Sequence, residues 1–208
     1  MSSLQVRHLR MPFFSPPKPR RKRIDKDVSD KAKGLTREQD YLVKTAILRA
    51  KVCLEDRIQK LSARHGPTVA MARTYLGSHV STGAVIAGLR IILDRLHLQS
   101  HGKGFWWVPD TGASLAFVRC PMSVSCPEVD PRVYLHDSFF HCSLAERAGC
   151  IIHEISHIAL GLDDVVVGNT TAYGYDLCLH LARELPGQAI RNADSWASFV
   201  DCRLDFFI

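Results

Sequence analysis

The chain has 208 residues, and several familiar features are missing from it. No stretch is long and apolar enough for a membrane span of about 20 residues, since Val85 to Leu98 is broken by Arg90, Asp94 and Arg95. The N-terminus lacks the apolar core of a secretory leader, because prolines and basic residues interrupt it, so export by the general pathway is not expected. No Cys-x-x-Cys pair occurs among the seven cysteines, which argues against a structural zinc cluster, and their odd number excludes complete internal pairing. Cys120 and Cys126 flank a short Pro-Met-Ser-Val-Ser loop and could pair in an oxidising compartment. No internal repeat is evident, so a solenoid is not expected.

Acidic balance to the basic residues is missing from one end only. Residues 1–34 hold ten Lys or Arg against three Asp, while the whole chain carries only +6, so the body is close to neutral. With four prolines and the run Arg20-Arg-Lys-Arg23, this segment is expected to be a disordered basic arm ahead of one folded domain at 35–208. A solubilising tail, a contact with a partner or surface, and a delivery determinant are all compatible with it. No specific nucleic-acid partner is implied.

The remainder is rich in helix signals. Thr36 with Gln39 forms a capping box for an amphipathic helix reaching about Arg64. Pro67 opens a second helix to Leu76, and Thr82 to Leu98 reads as a third. Phe105 to Val108, Ser114 to Arg119 and Arg132 to Leu135 read as short strands between Pro and Gly breaks. Thr171 to Leu185 and Gln188 to Leu204 complete a helical C-terminal part. The expected fold class is α+β, mostly helical, with a small sheet. Trp106 and Trp107 could line a cleft, although aromatic strand residues usually enter the core.

The chemistry concentrates in His153-Glu-Ile-Ser-His157. On a helix, residues four apart share a face, so both imidazoles can reach one metal ion, and zinc suits this ligand set. Glu154 stands beside that face, where it can take a proton from water. A buried helix with two hydrogen-bonded histidines is the plain alternative. Catalytic zinc takes three protein ligands, so a third must follow. Gly161 ends the helix, and Asp163 and Asp164 come at once, but spacing does not choose between them. Cys150 lies on the same helical side, where a buried apolar role is the simpler reading.

The segment Ile151 to Asp164, then Ala172-Tyr-Gly-Tyr-Asp176, then Asn192-Ala-Asp-Ser-Trp196, resembles the aspzincin family of zinc endopeptidases. The similarity runs over roughly residues 132–200 and implies a zincin-like metallopeptidase fold. It implies zinc held by His153, His157 and Asp164, with Glu154 as general base and Tyr173 as a donor to the oxyanion. Asn192 and Asp194 would support the site. The sequence departs from the pattern where Val165 to Ala172 is inserted between the aspartate and the tyrosine, which leaves Asp176 as an alternative ligand. The implied activity is hydrolysis of peptide bonds in proteins. Bacterial relatives that are delivered as toxins suggest a secreted effector without a signal peptide, with a secretion-system carrier and an immunity protein as partners. A cytoplasmic enzyme, a zinc amidase acting on cell-wall peptides and a non-enzymatic binding module on the same fold are the alternatives.

Overall fold

The protein is described from a computed structural model covering residues 31–99, 104–109, 115–118 and 132–202. The arm up to residue 30, Cys120, Cys126 and the two ends of the expected strand at 114–119 lie outside the described residues.

Helix α1 (Arg37–Ser62) starts at the expected capping box: the Thr36 hydroxyl accepts from the Gln39 amide at 3.2 Å and the Gln39 side chain accepts from the Thr36 amide at 2.9 Å. Its buried face, Val43, Ala46, Ile47, Ala50 and Leu54, follows the three-to-four-residue spacing of an amphipathic helix. Helix α2 (Gly66–Leu76) carries Pro67 in its first turn, where the missing amide costs no hydrogen bond. Helix α3 (Thr82–Gln99) packs Val85, Leu89, Ile92 and Leu96 inward. Gly88 lets α3 come close to the Trp196 ring, with which a Cβ there would collide.

Three short strands follow: β1 (Phe105–Val108), β2 (Ala116–Val118) and β3 (Val133–His136). They form one sheet in the order β1-β3-β2, with β1 parallel and β2 antiparallel to the central β3. Lys33 pairs with Trp107 on the outer side of β1. Trp107 donates its indole N–H to Asp137 at 2.6 Å, and Arg132 stacks on Trp106 at 4.6 Å, so both tryptophans have structural partners. Phe105, Val133, Leu135 and Ala116 join the main core with residues of α1, α3 and the helices that follow.

After the short α4 (Asp137–His141) comes α5 (Leu144–Leu160), opened by a second capping box between Ser143 and Glu146. Its buried Ile151, Ile152 and Ile155 lock it between α1 and α3, and β2 packs against it as well. The chain then forms a hairpin, β4 (Val166–Val167) with β5 (Thr170–Thr171), followed by α6 (Gly174–Glu184), α7 (Pro186–Ala189) and α8 (Ala193–Val200). Among the described residues no helix is long and apolar enough to cross a membrane.

The C-terminal part defines the insertion and corrects two expectations. The inserted stretch is a paired hairpin, because its β-branched residues flank a Gly168-Asn169 turn with Gly168 at φ +62°. The helix expected from Thr171 starts only at Gly174, since Thr170 and Thr171 are spent in the ladder. The helix expected over Gln188 to Leu204 is split. Asp163 inserts its backbone beside Asn192, accepting from the Ala193 amide at 3.0 Å and donating to the Arg191 carbonyl at 3.0 Å, which breaks the helical path.

Candidate metal centre

Helix α5 sets two imidazoles one turn apart on one face. The Nε2 atoms of His153 and His157 stand 3.1 Å apart, and Asp164 Oδ1 lies 3.2 Å from the first and 3.3 Å from the second. Gly161 makes this possible: at φ +64° it caps α5 and turns the chain so that Asp164 returns to the helix.

These three atoms form a nearly equilateral triangle. Ligands about 2.05 Å from a tetrahedral zinc are about 3.3 Å apart, so the triangle has the size of one face of a zinc site. The protonation pattern points the same way. His157 Nδ1 donates to the Leu162 carbonyl at 2.7 Å, and His153 Nδ1 donates to Asp194 at 3.1 Å. With the proton held on Nδ1, each Nε2 presents a lone pair to the same point as the Asp164 oxygen. Three lone pairs facing one point repel unless a cation, or an extra proton, sits among them. Among the described residues His153, His157 and Asp164 are the group of this kind that could hold a metal ion, and zinc fits the donor set.

The electrostatics follow from the same contacts. Burial disfavours a charged His153, but hydrogen bonds to Asp164 and Asp194 outweigh it and raise its pKa to about 10. Asp164 is opposed by burial yet is held well below the usual carboxylate range by the two imidazoles. Glu154 is buried, and desolvation raises its pKa against the pull of both histidines. Tyr173, 49% exposed, lies with its ring 5.8 Å from that of His153 and donates to Asp164. Burial, then the charge of Asp164, push its phenol well above the ordinary value, so it stays a donor.

Asp163 turns away and meets Arg191 at 3.4 Å, while Asp176 stands exposed on the first turn of α6 outside the group. Cys150 sits near Glu154 and Asp194, but burial first and their charges second push its thiol well up, which keeps it a poor ligand.

The supporting residues come from far along the chain. Asp194 takes the His153 proton with Oδ1 and the Gly174 amide, at 2.6 Å, with Oδ2. The fully buried Asn192 accepts from the Val165 amide at 3.0 Å and donates to the Ala172 carbonyl at 3.0 Å and to Ser195 at 3.1 Å. Val165 and Ala172 are also joined directly, amide to carbonyl, at 2.8 Å. The insertion is therefore pinched shut at its base, and Tyr173 reaches the site as though the hairpin were absent. The pinch by Asn192 and the Ser143 capping box were missed in the sequence; the box was readable there as Ser-x-x-Glu, the pinch was not.

A family model described as lysine-specific metallo-endopeptidase, the aspzincins, matches residues 119–201. Over that segment the chain is similar to the aspzincin family. That match contains the whole metal centre and its supporting residues. The fold is similar to that of a solved zinc peptidase from Grifola frondosa, with a TM-score of 0.58 and 19% identity over 81% of this chain and 98% of that one. No curated protein matches the chain. Relative to that family's pattern, the chain carries the inserted hairpin.

Proposed function

We propose that this zinc metallopeptidase cuts internal peptide bonds of proteins, with His153, His157 and Asp164 holding the metal, Glu154 as general base and Tyr173 as oxyanion donor. The triangle of donor atoms, with edges of 3.1 to 3.3 Å beside a buried glutamate, carries this reading. When bound, zinc supplies a Lewis acid that polarises a carbonyl and acidifies water. Glu154, whose carboxylate burial makes more basic, accepts the proton from the attacking water and passes it to the leaving amine. Tyr173 keeps its proton and can offer it to the charge that develops on the carbonyl oxygen.

Extended substrate has an edge to join. Among the described residues the outer side of β1 is taken by Lys33, β3 is central, and β2 is the edge strand that packs on α5. Strand addition there would carry a peptide past the metal. A preference for lysine is not part of the proposal, because Asp163 is already paired with Arg191 and both Asp194 oxygens are engaged. We further read the enzyme as a delivered toxin acting on proteins of a recipient cell. The resemblance to delivered bacterial aspzincins and the basic N-terminal residues support that reading. Growth arrest of cells making the wild type, absent with Glu154→Gln, is its expected result.

The direct test maps the products of an unfolded protein mixture by mass spectrometry, with zinc content measured alongside. New termini are expected with the wild type only, and Glu154→Gln should retain zinc. Cuts made equally well by Glu154→Gln would refute the mechanism. Cleavage of cell-wall peptides but not proteins would move the enzyme to the amidases, and zinc binding with no cuts would leave a binding module.

A further inference from the structure

We propose that Val166 and Thr171, paired across the inserted hairpin, form a substrate subsite for an apolar side chain within two residues of the scissile bond. The proposal rests on the peptidase reading and adds its specificity.

The hairpin is planted in the metal centre. Asp164 precedes its first paired residue, Val165, and Tyr173 follows its last, Ala172. Asn192 and the Val165–Ala172 hydrogen bond close its base, so the segment stands as a fixed wall.

The two faces of that wall differ. Val165 and Ala172 are buried, and with Val167 they pack against Leu181, Ala182 and Ala189 in a small cluster separate from the main core. Side chains alternate along an extended chain, so Val166 faces the other way, on the side of Asp164. The two lie two residues apart, about 6.6 Å along the strand. Thr171 is the direct cross-strand partner of Val166 and shares its face. Val166 is 59% exposed, an aliphatic side chain left open beside a metal centre whose Asp164 is itself exposed. A peptide advances about 3.3 Å per residue, so the residue that meets Val166 is one or two positions from the bond being cut.

The chemistry of this wall selects the ligand class. Val165 to Ala172 carries no charge, and the nearby Asp163 and Asp194 already have partners. What remains is a stiff β-branched surface that an aliphatic or aromatic side chain can cover with little ordering cost. The hairpin itself offers a cationic side chain no carboxylate.

Cleavage of a randomised peptide library by the full chain, loaded with zinc, tests this with wild type, Val166→Ala and Val166→Asp compared. Val166 is exposed, so neither substitution threatens the fold. The wild type should enrich aliphatic or aromatic residues at one position within two of the cut. Val166→Asp should move that position toward Lys and Arg and lower kcat/KM on the preferred peptides about tenfold or more. Val166→Ala should flatten the preference. A profile identical in all three proteins would overturn the subsite and leave the peptidase standing. A change confined to positions further away would also overturn it. No cuts by the zinc-loaded wild type would overturn the peptidase reading and the subsite with it.

Discussion

Replacing Asp194 by asparagine changes one atom and tests the proton arrangement of the metal centre. Asp194 accepts on two sides: Oδ1 from His153 Nδ1 at 3.1 Å, and Oδ2 from the Gly174 amide at 2.6 Å and the Cys178 thiol at 3.5 Å. An asparagine has one acceptor oxygen and can serve only one of those sides. If the oxygen stays on His153, the new amide group faces the Gly174 N–H, donor against donor, and the start of α6 is pushed away with Tyr173. If the side chain flips, the amide donates to Nδ1, the imidazole proton moves to Nε2 and the lone pair aimed at the metal is lost. Either outcome removes a partner that orients a metal ligand, a change worth about 10- to 100-fold in metal affinity or activity. That corresponds to roughly 1.4–2.8 kcal/mol. The assay is competition for zinc with a chromophoric chelator, with kcat/KM measured again at saturating zinc. An Asp194→Asn protein that binds zinc as tightly as the wild type and turns over at the same rate would refute the argument.

Other perturbations give distinct outcomes. Gly88→Ala drives a Cβ into the buried Trp196 ring, whose N–H is held by the Ile190 carbonyl at 2.8 Å, so the ring cannot swing aside freely. Overpacking of that kind costs about 1–3 kcal/mol and should lower Tm by roughly 2–12 °C in thermal unfolding, and an unchanged Tm would contradict this packing. His157→Ala should lose bound zinc as well as turnover, in contrast to Glu154→Gln, and elemental analysis of the two purified proteins separates the roles. In protein stripped by a chelator, the His153 pKa of about 10 lies above the unfolded value of about 6.5. That raised pKa stabilises the stripped fold fully below about pH 6.5, and the contribution disappears as pH rises through about 10. Tm of the stripped protein should therefore fall between pH 7 and 10 through this group, and a Tm that rises there would contradict the assignment.

Much of the molecule was legible because its signals are local. The capping box at Thr36 and Gln39, the proline at the start of α2 and the spacing of His153, Glu154 and His157 each act within about one helical turn. Such features depend on geometry that a helix supplies by itself, so the sequence is enough to place both imidazoles on one face. The mostly helical α+β class follows from the same kind of pattern, and the structure agrees with it.

Other features depend on residues that meet only after folding. Spacing alone does not tell Asp163 from Asp164, although the family resemblance points to the second. The fold separates them, because Arg191 and the backbone beside Asn192 hold the first, which leaves the second aimed at the histidines. The break between α7 and α8 has the same origin, since Asp163 competes for the backbone at Arg191 and Ala193. The inserted segment looked like a disturbance between ligand and tyrosine. Its ends are instead joined by Asn192, 20 residues beyond Ala172, so the insertion projects outward without moving the site. By itself, then, the sequence determined the rigid helix, its paired imidazoles and the base between them, through short-range helical geometry. Which aspartate completes the triangle, which nitrogen of His153 keeps its proton and where the hairpin stands were decided by tertiary contacts, because each depends on polar groups brought together from distant parts of the chain.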